Sequence, residues 1–139
     1  MSRRMVWGPT FEEMLHPDKI DPAIRAKALA AKESDPLSEI NLYNITWKRP
    51  DGTPCYIVLP KELTGVDANI IALYGRDFPT GSHKVGATYT VTMEKQLIGE
   101  ITPGEHTLVY PSTGNYGIGG AWVGPRMGYD SVVILPELM

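Results

Sequence analysis

The chain has 139 residues, a length that suits one domain and can enclose an apolar core. Its 13 Lys and Arg against 16 Asp and Glu give a net charge of −3 with no block of like charge, which argues against nucleic acid as a partner. The one cysteine, Cys55, excludes an internal disulfide and completes no metal-ligand spacing, so a cytoplasmic, reducing setting without a metal is expected.

The opening MSRRMVWGPTFEEMLHPDK reaches Glu12 and Glu13 without a long apolar run, so it is not a secretory signal. No later stretch approaches a membrane span, and the sequon at Asn44 therefore carries no weight. His16, His83 and His106 lie far apart and each reads as a surface or packing residue; only His83 falls inside a motif.

In chain order, residues 1–54 form an N-terminal arm broken by prolines, expected to be extended and to serve in packing. It carries one short helix, predicted from Pro22, a good first-turn residue, to Ser34. Residues 55–139 have an α/β texture. CYIVLP and ANIIALYG read as short buried strands, rich in β-branched and aromatic residues. From Lys84 to Glu100, Val85, Tyr89, Met93 and Leu97 recur every four residues along one side of a predicted helix. After the turn ITPGEH come HTLVYP as a strand, STGNYG as a turn, IGGAWVGPRMG as a helix and DSVVILP as a strand.

These last elements describe a βαβ unit, and continuous apolar strands suit a parallel sheet covered on both faces. Pro125 is expected to kink that helix or end it near Val123. The chain stops directly after a strand, where an α/β chain would turn into a covering helix, so the domain is expected to be truncated and completed by a further segment or a partner.

Two turns carry chemistry. In PTGSHK, Lys84 opens a helix, near the positive end of the helix dipole, which disfavours an ammonium and favours the neutral amine that attacks aldehydes. A plain solvated charge is the alternative reading of an isolated lysine. PSTGNYG offers two hydroxyls, two glycines and an amide at a helix entrance, either an anion cradle or an ordinary loop with Ser112 or Thr113 as N-cap. Ligands of open α/β sheets gather at strand carboxyl ends, so neighbouring strands would bring Lys84 and Asn115 to one pocket. A dinucleotide fingerprint beginning at Gly117 fails, because Trp122 stands where its third glycine belongs.

Taken together, PTGSHK, followed some twenty-eight residues later by STGNYG and then GIGGAWVGPRMGYDSVVILPE, resembles the fold-type II pyridoxal-phosphate enzymes, among them cysteine synthase, threonine synthase and the tryptophan synthase β chain. The resemblance runs from about Tyr56 to Glu137 and covers only the N-terminal portion of such an enzyme. It implies a three-layer α/β fold with a parallel sheet, like that of the tryptophan synthase β chain. It also implies pyridoxal 5'-phosphate as cofactor, in Schiff-base linkage to Lys84, which would then move the substrate's α-proton. Asn115 would meet the cofactor's 3′-oxygen, and His83 would lie near its phosphate. Ser112, Thr113, Gly114 and Asn115 would bind the substrate's carboxylate.

The implied function is a lyase or transferase of β/γ-elimination or replacement on a small amino acid, similar to cysteine synthase, working as a homodimer or with a complementing C-terminal segment. Where cysteine and threonine synthases usually follow the lysine with Asp-Arg, this chain has Val85-Gly86, and Tyr116 replaces the commoner threonine. The family's glycine-rich phosphate loop is expected beyond Met139. Two other readings stay open: a non-catalytic phosphate- or nucleotide-binding module, and an incomplete chain inactive without its C-terminal portion.

Overall fold

The structure, a computed structural model, describes residues 4–137. The arm is more helical than expected. Helix α1 (Phe11–Leu15) opens with a capping box: the Thr10 hydroxyl accepts from the Glu13 N–H, and the Glu13 carboxylate accepts from the Thr10 N–H. Helix α2 runs Pro22–Ser34, as its proline start and alanines predict, with the Asp21 carboxylate accepting from the N–H groups of Ala23 and Ile24. Short 3₁₀ turns cover Pro17–Lys19 and Glu39–Asn44.

The first pair of strands corrects the expectation of one covered parallel sheet. Strand β1 (Tyr56–Leu59) pairs antiparallel with β2 (Ile70–Leu73), joined through the one-turn helix α3 (Lys61–Thr64). Parallel neighbours need a crossover of a dozen or more residues, and the short link between these strands returns the chain as a hairpin. Tyr56, Ile57, Val58, Ile71 and Leu73 are exposed, so both faces of the ribbon meet solvent and neither strand is buried.

Helix α4 (Lys84–Leu97) follows, ending three residues before the predicted Glu100. Val85, Tyr89 and Met93 are buried as their spacing predicts, whereas Leu97 is exposed at the helix end. Strand β3 (Thr107–Pro111), helix α5 (Asn115–Arg126) and strand β4 (Asp130–Ile134) form the expected parallel βαβ unit, with Thr107 opposite Asp130 and Pro111 opposite Ile134. Among the described residues these are the only two strands in that sheet. Val109, Val132 and Ile134 are exposed, so the described residues cover this sheet on the α5 side only.

Helix α5 starts three residues before the predicted Ile118, which makes Asn115 its first residue. It also runs through Val123 to Arg126, past the expected break. Pro125 lies in the final turn, and beyond it the helix closes on Gly128 at φ +88. The N–H of Tyr129 reaches the carbonyl of Gly124 at 2.9 Å and that of Gly128 the carbonyl of Pro125 at 3.2 Å, the paired bonds of a Schellman cap.

The core joins arm and helices. Val6, Leu42 and Ile45 from the arm pack with Phe78, with Val85, Tyr89 and Met93 of α4, and with Val123, Met127 and Tyr129. Polar links hold the same junction. The Tyr89 hydroxyl donates to the Pro9 carbonyl at 2.7 Å, Gln96 Nε2 donates to the Val6 carbonyl at 3.0 Å, and the Tyr129 hydroxyl donates to Gln96 Oε1 at 2.8 Å. Among the described residues no helix is long and apolar enough to cross a membrane.

Candidate functional site

The loop after β2 folds back on itself before α4 begins. The Phe78 N–H bonds the Gly75 carbonyl at 3.1 Å, and the Gly81 N–H bonds the Phe78 carbonyl at 2.8 Å. Gly81 holds φ +68, a conformation a side chain would strain. Ser82 is buried, and its hydroxyl accepts from the Lys84 N–H at 3.3 Å, anchoring the first residue of α4. The Lys84 side chain is exposed.

The second turn leaves β3 at its carboxyl end. The Ser112 N–H still reaches the Ile134 carbonyl at 3.2 Å, extending the parallel ladder by one bond. The Ser112 hydroxyl then accepts from the Gly114 N–H at 3.3 Å. Hydrogen bonds within α5 begin with the N–H groups of Gly117 and Ile118 on the Gly114 carbonyl, which leaves those of Asn115 and Tyr116 at the open end of the helix. Thr113, Gly114 and Asn115 are exposed, and Ser112 is half-buried.

The two turns are not brought together by neighbouring strands of one sheet, as anticipated, because β2 pairs with β1 and β3 with β4. The helices that follow the two turns pack on each other instead. A Cβ built on Gly119 would lie 2.9 Å from the Lys84 carbonyl oxygen and 2.8 Å from Thr88 Oγ1, so α5 crosses α4 with its backbone against the first turn that Lys84 opens. Asn115 lies one turn before that crossing. The opposite side of α5 meets the sheet just as closely: a Cβ on Gly117 would strike Val133, and one on Gly120 would fall 2.5 Å from the Tyr110 ring.

Gly119 is the positioning residue that sequence reasoning passed over. The signal was present, since glycines cost a helix about 1 kcal/mol each relative to alanine, and several within one helix mark close approach.

His83 is the N-terminal cap residue of α4, and its ring stacks on Trp47 at 5.6 Å between centroids. With Trp47, Phe78 and Thr90 it lines a cavity of about 380 Å³ on the arm side of α4. His106 accepts from the Thr102 N–H through Nδ1 at 3.1 Å, a turn-closing role. Cys55 is buried, and its thiol lies 3.4 Å from Asp77 Oδ2. Desolvation, then the Asp77 carboxylate, pushes the Cys55 thiol up from its ordinary range. Among the described residues no group of three His, Cys, Asp or Glu could hold a metal ion.

The donor set fits an anionic, aldehyde-bearing cofactor together with an amino-acid carboxylate. Residues 79–84 and 112–116 supply an amine, an amide, hydroxyls and the N-terminal N–H groups of α5, and neither stretch contains a carboxylate. A Cβ at Gly114 or Gly81 would meet nothing within 4 Å, so both turns face open space.

No family model matches the chain. Over 81 residues it is 38% identical to cystathionine beta-synthase of Saccharomyces cerevisiae, a match covering 58% of this chain and 16% of that protein. Over 61 residues it is 34% identical to a probable cysteine synthase of Bacillus subtilis, covering 44% of this chain and 19% of that protein. The chain is thus similar in part to two synthases and spans less than a fifth of the length of either.

Proposed function

We propose that this chain carries the lysine and the carboxylate-binding turn of a pyridoxal-phosphate enzyme of amino-acid metabolism, a lyase or transferase acting by β/γ-elimination or replacement on a small amino acid. The observation that carries this reading is the crossing of α4 and α5 at Gly119, with an amine at the start of one helix and an amide with N–H donors at the start of the other. The partial similarity to the yeast and Bacillus synthases supports it.

In this reading Lys84 would hold the cofactor through Nζ, and the Asn115 amide would hydrogen-bond it. The cofactor, when bound, supplies an electron sink for bonds breaking at the substrate's α-carbon. The Ser112 and Thr113 hydroxyls and the first N–H groups of α5 bind and orient the substrate carboxylate, since they are hydrogen-bond donors at the positive end of a helix. Lys84 Nζ would also serve as the base for the substrate's α-proton. His83 lies one residue from this chemistry, with its ring stacked on Trp47, and would lie near the cofactor's phosphate. A complementing C-terminal segment or a second copy would supply the residues meeting the cofactor's phosphate and pyridine nitrogen.

The test is borohydride reduction of the protein purified from its native source, followed by peptide mass mapping. A pyridoxyl group on Lys84 is the expected result. Reduction that leaves Lys84 unmodified, or labels a different lysine, overturns the assignment.

A further inference from the structure

Four cations of the arm line one cavity. Arg25 and Lys32 of α2, with Lys48 and Arg49 ahead of the turn at residues 49–52, line a cavity of about 300 Å³ in which Asp77 is the single carboxylate of the lining. The chain as a whole has more acidic than basic residues, so this local excess is not a consequence of composition. None of these residues belongs to the turns that bear Lys84 and Asn115.

The site is built rather than incidental. Arg25 is half-buried, and its Nη1 donates to the Tyr43 carbonyl at 2.8 Å and to Asn44 Oδ1 at 3.3 Å, both neutral acceptors. Asn44 is 2% exposed, and its Nδ2 donates to the Ala28 carbonyl at 2.6 Å and to Asn41 Oδ1 at 3.1 Å, which turns Oδ1 toward the guanidinium. Burial pulls Arg25 down from its ordinary range, the sign of a cation that has lost water without gaining a counter-ion. Arg49 shares Asp77 with Cys55: its Nε lies 3.4 Å from Asp77 Oδ2, and its guanidinium stands 5.7 Å from the Tyr74 ring centroid. Among the described residues Arg25, Lys32 and Lys48 form no ion pair.

A second cavity of about 540 Å³ adjoins the first, shares Arg25, Lys48 and Arg49 with it, and continues to Ile20 and Leu29, with the carboxylates of Asp18 and Asp51 also in its lining. The shared cationic end suits the anionic head of a ligand, and the mixed continuation, with Ile20 and Leu29 beside Asp18 and Asp51, suits a body that carries hydroxyl or amine donors as well as apolar surface.

We propose that this cleft binds a phosphate-bearing small molecule, its phosphate among Arg25, Lys48 and Arg49 and its body between α2 and the turn at residues 49–52. Guanidinium forks match phosphate oxygens in pairs, and two of them with two ammonium groups offset its charge. A nucleic-acid polymer fits poorly, because the cations sit in a pocket rather than along a stripe, and the net charge is negative.

Calorimetric titration of the full chain with adenosine monophosphate, inorganic phosphate and citrate tests this. Adenosine monophosphate should bind more tightly than phosphate, and both more tightly than citrate, with affinity falling as salt is added. Lys48→Gln should lower the affinity for adenosine monophosphate on the order of tenfold. Its side chain makes no protein hydrogen bond among the described residues, so folding should be unaffected. Lys27→Gln, an equal charge change elsewhere on α2, should leave binding unchanged. Lys84→Ala should also bind normally, whatever becomes of the cofactor reading. No binding of either phosphate probe, citrate binding as tightly as adenosine monophosphate, an equal loss in Lys27→Gln, or a loss in Lys84→Ala each overturns the proposal.

Discussion

Gly119 rests on Lys84 by backbone contact: a methyl group at position 119 would fall 2.9 Å from the Lys84 carbonyl oxygen, which cannot move without unwinding the first turn of α4. The approach of the two helices that begin with Lys84 and Asn115 is therefore set by the absence of a side chain at position 119. Gly119→Ala is expected to push the helices apart at a cost of about 1 to 3 kcal/mol, the usual range for overpacking. Urea unfolding measures the cost, and borohydride labelling of Lys84 should fall in the same variant. An unchanged midpoint with full labelling would show that the crossing tolerates a methyl.

Lys84→Ala should separate function from folding. The side chain is exposed, so stability should change by no more than about 0.5 kcal/mol, while the reducible chromophore and turnover are lost. Thermal melting and the visible spectrum read the two effects independently. Retained turnover would remove the lysine from the chemistry.

Ser112→Ala and Thr113→Ala should weaken substrate binding more than chemistry, because these hydroxyls would hold the carboxylate in ground and transition states alike. The expected pattern is a raised KM with kcat nearly unchanged. A fall in kcat at constant KM would instead place the turn at the reacting atoms.

The Val6, Gln96 and Tyr129 chain predicts both a mutational and an alkaline effect. Gln96→Ala leaves the buried Val6 carbonyl and Tyr129 hydroxyl without this partner, at about 1 to 3 kcal/mol. Burial pushes the Tyr129 phenol up to about 12 and raises that of Tyr89 as well. A phenol whose folded value lies above its unfolded one keeps the fold proton-bound longer, so its contribution is complete below pH about 10 and is lost as pH rises toward 12. Urea midpoints should hold up to pH about 10 and then fall, and Tyr129→Phe should flatten that fall. A profile identical in the variant would assign the alkaline loss to other groups.

Gly128→Ala should cost about 1 to 2 kcal/mol, because φ +88 is a left-handed conformation that a Cβ resists. The added carbon would also lie 3.3 Å from Pro103 Cβ and 3.0 Å from the Arg4 carbonyl oxygen. Denaturant unfolding checks this, and a neutral result would mean the Schellman cap can rearrange.

The local signals in the sequence were sound where neighbours along the chain determine the outcome. Pro22 after Asp21 started α2, the four-residue spacing of Val85, Tyr89 and Met93 selected the buried side of α4, and HTLVYP and DSVVILP paired in parallel around one helix. Leu97 broke its pattern because it falls where α4 ends and no neighbour covers it.

Hydrophobic content misled at YIVL and IIAL. Apolar runs say that a strand would gain from being covered, yet they carry no information on whether anything in the described chain covers it, and here both faces of that ribbon are exposed. The arm was underestimated for a related reason. Its helices are short and depend on packing, through Leu42, Ile45 and the Tyr89 to Pro9 hydrogen bond, rather than on propensity.

What the sequence determined was the chemical inventory: a lysine at one helix start, a hydroxyl, glycine and amide turn at another, and the periodicities that form those helices. How the two helices lie was decided only in three dimensions, because α5 packs on α4 at Gly119 while the strands that lead into the two loops belong to different sheets. Local rules govern backbone bonds a few residues apart, whereas the contact of α4 with α5 follows from how closely two helices can approach where glycine leaves room.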